Sequence, residues 1–593
     1  SGSNGGDESF QSAPMQHTGK GRYRANLPGH RNRTIIEFYV EASDGRSKRT
    51  WPAATNIGQA SNALYQVDKE VNRTVMGYYR LIMTEQEMDQ FESLYAHSNA
   101  QMNTTLIADD GSGPIIRYQC GTRVRGAGSR NNRPRPMRVN IPRDKPWENR
   151  YRMNLNSVYT WLQFIGMKLF QASDLPAPET MAVQVRLNGE KNTRNSSSDY
   201  GAFVHVQPLD GQFIKAYFPN DPGGNLYKKV RPDNSWCWHS GDVSAYRDDG
   251  WLKQTNSAAS NWDDLDRFLG VMNNASRKSD YIEQVERVMN IDQWLRYLAV
   301  MALLNNNEGG IGNGIDDDYA MYRGVNDQRF QALPHDLDTI LGVGESSSNP
   351  RHTLFDFVEN GSRLDPLVPL LEHPDIRKRY FLQISDLIRT SFSEQRFESL
   401  LDQNLGGWVA SSRVQQIKDF MMMRRHYAAQ QVARALGKSP SEVAAPTAAT
   451  KWRAPKTGRV MIHEVLAANG SAHEHRGGYP DMIELYNPGS DLVSLAGLSL
   501  SDDPAKPGQF IFPVGAELAA GGYLLLYADN QHVENEWHVG FGLKQEGETL
   551  TLFDQADATG KRVVLDQVSF GPQIPGLSIG RGGNELAVWA LTM

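Results

Sequence analysis

One stretch of this 593-residue chain limits its fold more than any other. Between Ser439 and Thr457 the chain is mostly Pro, Ala, Ser and Thr, with prolines at 440, 446 and 455. Such a composition cannot build a core, and it reads as an interdomain linker, drawn here over residues 437–458. The grammar differs on its two sides. Upstream, helical and strand-like patterns alternate. Downstream, short strands alternate with Gly, Pro, Asn and Asp turns at a spacing of about ten residues, the pattern of a β-sandwich. The expected fold is therefore multidomain, an α+β domain followed by an all-β one, and the length alone rules out a single core.

Several elements upstream of the linker can be read directly. Residues 1–32 lack apolar periodicity and are expected to be a loop or disordered tail. Residues 33–74 contain the strand-like run from Thr34 and a second one at Ala63–Val67, expected to be the last strands of a β-sandwich whose first half lies upstream. Thr84 with Glu87 three residues on is a capping box opening a helix. Ile115 to Val124 and Met181 to Leu187 read as strands, Tyr281 to Leu304 as two helices broken near Asn290, and Phe381 to Leu436 as mostly helical. The opening Ser-Gly-Ser-Asn-Gly-Gly has neither an initiating Met nor a signal-peptide pattern, so the chain is expected to start inside a longer precursor, with material also missing beyond Met593.

Composition excludes some functions. A net charge of −6 argues against a surface that coats nucleic acid, which needs a basic excess. No run approaches the roughly 18 apolar residues of a membrane span. The two cysteines, Cys120 and Cys237, cannot make a zinc cage, and either a single bridge or two thiols is open to them. No Gly-x-x-x-x-Gly-Lys-Ser/Thr pattern is present, which excludes a P-loop enzyme.

Ordered motifs over residues 75–436 carry a resemblance. They are Arg123-Val-Arg-Gly-Ala-Gly-Ser-Arg, Met153-Asn-Leu-Asn, Val185-Arg-Leu-Asn-Gly, Asn225-Leu-Tyr-Lys with Tyr246 and Lys253 beyond, Asn261-Trp-Asp-Asp-Leu, Met289-Asn-Ile-Asp-Gln-Trp, and Leu333-Pro-His-Asp-Leu-Asp. Together they resemble the CotH-type atypical kinases. The resemblance implies a protein-kinase-like fold, ATP with Mg²⁺ or Mn²⁺ as cofactors, and transfer of the γ-phosphoryl group to a protein hydroxyl. It also implies the site. Asp336 and Asp338 are two apart, so in an extended segment they share a face and can hold a metal. Asp318 joins them where the family has a metal-binding Asn. Arg125, Arg130, Arg135, Lys228 and Lys253 are the candidate nucleotide-binding cations. Glu308 stands where the family has its catalytic Asp, and Asp336 is the second candidate catalytic residue.

The chain departs from the family pattern at Glu308, at Asp318, at Gln207 in place of a Glu, and at Arg135 in place of a Lys. A glutamate base displaces its carboxylate by about an ångström, a shift that can cost on the order of a hundredfold in rate. Two readings therefore stand: an active metal-dependent kinase, or a pseudokinase serving as a structural, adhesive or assembly module. The remaining histidines are read as not assembling into a site. His205 falls in a strand pattern, His335 is read as a packing substitution, and Trp236 as a buried loop anchor.

Residues 459–593 form the last expected domain. Val460-Met-Ile-His-Glu, Asp481-Met-Ile-Glu-Leu-Tyr-Asn-Pro-Gly, Leu495-Ala-Gly-Leu-Ser-Leu-Ser-Asp-Asp, Gly522-Tyr-Leu-Leu-Leu-Tyr-Ala-Asp and Leu577-Ser-Ile-Gly-Arg resemble the lamin-tail domain, an immunoglobulin-like sandwich. Glu464 and Glu484 could pair as carboxylates, but no nucleophile or metal-ligand cluster accompanies them in the sequence, so this domain is read as non-catalytic. The pairing of the two domains resembles large exported bacterial proteins. It implies an extracellular or cell-surface location and protein partners, and sandwich edges leave self-assembly open.

Overall fold

The computed structural model describes residues 10–592 apart from 54–61, 70–75, 96–97, 110–113, 127, 148–149, 195, 231–235, 259–260, 277, 307–317, 345, 347, 356–364, 445–459, 471, 490–492, 504, 514–515, 520, 532–535, 557–561, 574 and 583–587. Two compact units emerge, one formed by residues 1–110 and 114–447, the other containing residues 448–593.

The first unit opens with small pairings. Strand β1 (Gln16–Gly19) pairs with β2 (Arg22–Arg24), β4 (Val40–Ser43) with β5 (Lys48–Trp51), and β3 (Ile35–Phe38) with β6 (Ala63–Gln66). Segment 33–74, expected as the end of a separate sandwich, is thus part of the first unit. Leu64 donates its N–H to Thr105 Oγ1, and Phe38 and Trp51 both meet Tyr118 edge-on.

The strands β7 (Gly77–Ile82), β8 (Met102–Asp109), β9 (Ile115–Val124), β10 (Met137–Asn140), β11 (Arg152–Asn156), β12 (Thr180–Leu187) and β14 (Phe203–Val206) are each hydrogen-bonded to the next in space. The two-residue β13 (Glu190–Lys191) pairs with β12. Because β12 also pairs in parallel with β7, the sheet closes into a barrel. Its interior is apolar, with Leu106, Val124, Met137, Val139, Leu155 and Val185 buried together. Strand alternation then sends Arg138, Asn140, Asn154 and Asn156 to the outer wall. His205 lies in the interior, its Nδ1 3.0 Å from Tyr79 Oη and its ring stacked on Trp147, which makes it a core histidine. Burial drives it down to about 3, so it stays neutral. The α1 helix (Glu85–Ser93) begins at Thr84 with the expected capping box.

A second, four-stranded sheet follows in the order β16 (Trp251–Lys253), β15 (Asn225–Lys229), β17 (Tyr319–Arg323), β18 (Gln331–Pro334). Helix α2 (Thr160–Ala172) packs on β12 and β14, and nearly all its residues are buried. The expected break near Asn290 is real: a helix spans Tyr281–Glu286, then Asn290 caps Ile291–Leu304 by accepting from the Gln293 N–H. Helices Pro374–Arg389, Glu394–Leu405 and Ser411–Leu436 complete a large helical core.

The expected linker begins later than its composition suggests. Pro440–Ala444 is a short helix, Ser439 Oγ accepts from the Glu442 N–H, and Val443 is buried. Ser-Pro followed by Glu is a helix start, and that signature outweighs the Pro/Ala content. The rest of the linker lies outside the described residues. No helix among the described residues is long and apolar enough to cross a membrane.

The second unit is a sandwich. A five-stranded sheet contains Met461–Leu466, Asp481–Tyr486, Tyr523–Ala528, Ser578–Gly582 and Val588–Thr592, and a four-stranded sheet contains Ser499–Ser501, Phe510–Ile511, Glu548–Phe553 and Val564–Phe570. Ile462, Leu485, Leu500, Leu526 and Leu550 are fully buried between them.

Candidate active site

The outer wall of the barrel and the end of the four-stranded sheet share a small cleft. Arg125, Asn154, Asn156 and Gln207 line it from the barrel, and Lys228, His335 and Asp336 from the other side. Arg125 follows the last residue of β9 and is held there by its N–H to the Pro136 carbonyl (3.0 Å). Lys228 lies on β15 opposite Ala320, so Asp318 stands just before the paired strand β17, in the left-handed region with φ 54°. The end of β18 delivers His335 and Asp336 to the same place.

A glutamine from the helical core fixes that last segment. Gln163 on α2 donates to the His335 carbonyl (3.3 Å) and accepts from the Leu337 N–H (2.9 Å). Leu337 is buried, so the flanking aspartates emerge beside it. Gly166, one helical turn further on, permits this approach: a Cβ there would stand 2.9 Å from Leu337 Cβ. Neither Gln163 nor Gly166 carries a signal that sequence motifs alone would reveal.

Asp318, His335 and Asp336 offer ligand atoms all within 4.8 Å of one another, with His335 Nδ1 3.5 Å from Asp318 Oδ1. His335 therefore belongs to the site, contrary to its reading as a packing substitution. Asp338 is half-buried two residues on and is outside this trio. Glu308 lies outside the described residues.

The candidate cations divide. Arg125 and Lys228 are in the cleft. Arg130 turns to the carbonyls of Gly126 (2.7 Å) and Ser98 (3.0 Å) and to Asn99. Arg135 donates to the carbonyls of Glu92 (2.8 Å) and Leu94 (3.1 Å) at the end of α1, where it serves as a C-terminal cap. Lys253 pairs in register with Tyr227, whereas Lys228 pairs with Leu252. Lys253 therefore lies on the opposite face of the sheet from Lys228, and its ammonium bonds to the Asn261 carbonyl (2.6 Å). Arg135 and Lys253 are thus not brought together with the others, and Arg130 reaches the cleft only through its charge acting on Arg125.

Arg138 takes the place left by Arg135. Its Nε donates to Asn154 Oδ1 (2.9 Å), and its charge acts on Lys228 and His335. The alternation in Met137-Arg-Val-Asn, with apolar residues on one face, is the signal that would have found it.

Like charges are crowded here. Burial, then Arg125 and Arg138, bring the Lys228 ammonium down to about 7. Burial, followed by Arg125 and Arg123, lowers Arg138 to about 9. Asp318 is raised by burial against the pull of Lys228 and Arg125. His335 is held well below its ordinary value by burial and then by Lys228, Arg125 and Arg138, and so is neutral. Three cations thus face two carboxylates, and an anionic ligand would balance them. The two carboxylates are hard oxygen donors suited to Mg²⁺ or Mn²⁺. The residues present fit a divalent cation with a polyphosphate.

Gln207 sits at the cleft but faces Glu179, accepting its N–H (3.1 Å) and donating its own backbone N–H to the Glu179 carbonyl (2.8 Å). Elsewhere, Trp236 is the buried anchor expected, its Nε1 donating to Tyr319 Oη (2.5 Å). Cys120 and Cys237 are not bridged to each other, and burial lifts the Cys120 thiol to about 12.

Residues 122–405 match the family described as CotH kinase protein. Residues 453–572 match the Lamin Tail Domain. Among solved structures, the chain is similar to the crystal structure of the Helicobacter pylori proinflammatory kinase CtkA, with 10% identity, coverage of 51% of this chain and 94% of that one, and a TM-score of 0.28. A likeness that loose carries no argument by itself. No match was found among curated proteins. By its family matches, the chain carries a CotH kinase protein domain followed by a lamin tail domain.

Proposed function

We propose that the first unit is a metal-dependent kinase module that moves the γ-phosphoryl group of ATP to a protein hydroxyl. The observation that carries this reading is the crowding of half-buried cations at the cleft, where Arg125, Arg138 and Lys228 face Asp318 and Asp336. Unbalanced buried charge is costly, and a polyphosphate relieves it. Arg125 and Arg138 would grip phosphate oxygens as planar forks, and Lys228 as a point charge. Asp318, His335 and Asp336 would hold Mg²⁺ or Mn²⁺, whose chemistry is to neutralise charge on the phosphate oxygens. Gln163 keeps the backbone at His335 and Leu337 fixed, and so acts as a positioning residue for Asp336. Glu308 is the proposed general base. The module is further proposed to belong to an exported or cell-surface protein, as the resemblance of the paired domains implies.

One observation favours a second reading, a kinase-like fold kept for adhesion or assembly. Gln207, neutral and bonded to Glu179, offers no carboxylate to pair with the cleft cations. Label transfer from γ-labelled ATP, with Mg²⁺ or Mn²⁺, to the chain itself and to casein distinguishes the two. Incorporation that disappears in Asp336→Ala supports the kinase. No incorporation into either acceptor with either metal moves the function to the scaffold reading.

A further inference from the structure

His475, Glu536 and His538 are 61 and 2 residues apart in the lamin tail domain, and the fold gathers them. His475 Nε2 lies 2.8 Å and His538 Nε2 3.4 Å from the same oxygen, Glu536 Oε2. All three ligand atoms lie within 4.8 Å of one another. His475 and His538, among the histidines read as not assembling into a site, are thus brought together by the fold. Spacing gave no hint of it because the loop that carries Glu536 and His538 folds back beside the segment of His475.

The surroundings have the organisation of a metal site. His538 is enclosed, with 2% of its side chain exposed, and its Nδ1 lies 2.6 Å from Asp529 Oδ1. A carboxylate on Nδ1 fixes the tautomer with its proton there and leaves the Nε2 lone pair to a metal, the arrangement that supports metal-ligating histidines. Glu536 is oriented from its other side, since Arg476 bonds Oε1 at 2.7 Å and 3.2 Å and so leaves Oε2 toward the imidazoles. The His475 ring is stacked on Tyr527 with centroids 3.9 Å apart, which fixes its plane. Two carboxylates against one guanidinium leave a net negative charge when both imidazoles are neutral.

We propose that His475, Glu536 and His538 form a zinc site in the lamin tail domain, with the fourth position open to water or to a ligand from a partner. Metal–ligand bonds of about 2.0–2.1 Å in a tetrahedron separate the ligand atoms by about 3.3 Å. The His538 contact already has that spacing, and the His475 contact has to open by only about half an ångström. Two imidazoles favour Zn²⁺ over Mg²⁺ or Ca²⁺, which prefer oxygen donors throughout.

The test is a calorimetric titration of the chelator-stripped full chain with Zn²⁺. The expected result is a zinc equivalent whose affinity falls by more than about a hundredfold in the His475→Ala/His538→Ala double variant, while Asp336→Ala, in the cleft of the first unit, retains it. Asp529→Asn, which keeps all three ligands, is expected to weaken the same equivalent by about ten- to a hundredfold. This variant decides the matter if the double variant does not fold. Equal zinc affinity and stoichiometry in wild type, double variant and Asp529→Asn would overturn the proposal, as would no zinc binding by the wild type. In either case the cluster would be a hydrogen-bonded network only.

Discussion

In the lamin tail domain the interior is Ile462, Leu485, Leu500 and Leu550, all fully buried. Its charged groups are matched in close pairs such as Arg581 with Asp566 (2.6 Å) and Lys544 with Glu548 (2.8 Å). In the kinase-like cleft, half-buried Arg125, Arg138 and Lys228 crowd against Asp318 and Asp336, and Lys228 gives up much of its charge near neutrality. The first arrangement is what folding alone selects, because apolar burial is favourable and each charge taken from water keeps a partner. The second opposes folding, since each cation lowers the others and none is matched one to one. Perturbed groups gathered in a cleft point to a ligand, not to stability.

That contrast can be broken by substitution. Leu500→Ala is expected to destabilise the lamin tail domain by about 2–5 kcal/mol, from lost burial and the cavity left behind. Chemical denaturation followed by fluorescence checks it, and the cleft should keep its ligand affinity.

Acidity sharpens the same contrast. Lys228 in the free protein loses its proton as pH rises through about 7, whereas a bound polyphosphate requires the ammonium. Above that point binding takes up a proton, so nucleotide affinity should fall by about tenfold per pH unit. Below it, affinity should be flat as far as this lysine is concerned. Titrations across this range check the slope, and Lys228→Met should bind weakly without it.

The smallest expected effect has the opposite sign from the first. Arg138→Met removes one enclosed like charge, and should raise the stability of the first unit by about 1 kcal/mol while weakening nucleotide binding by about tenfold. Destabilisation comparable to that of Leu500→Ala would show that Arg138 is a structural residue after all.

Much of the fold was readable because its signals are local. The capping box at Thr84, the strand Ile115–Val124 and the helix pair around Asn290 each depend on neighbouring residues, and each formed as expected. The site was readable only in part. Asp336, Lys228 and Arg125 lie within motifs, and the structure brings all three to one cleft. Lys253 was misplaced because the face it occupies depends on its register with Tyr227, and pairing register is not written in either strand alone. Arg138 was missed because the resemblance points to Arg135, three residues earlier, and the barrel's inside–outside alternation is what puts Arg138 on the cleft wall. His335 was set aside because a histidine beside an aspartate has no meaning until Asp318 is brought across from β17.

The cleft is proposed to bind nucleotide through a metal held by Asp318, His335 and Asp336. Calorimetric titration of the full chain with ATP, in MnCl₂ and in chelator, tests it most directly. The expected result is saturable binding that requires the metal, disappears in Asp336→Ala, and stays within about twofold in Lys253→Ala, whose side chain lies on the other face of the sheet. Metal-dependent binding of equal strength in Asp336→Ala, or none in the wild type, would contradict it.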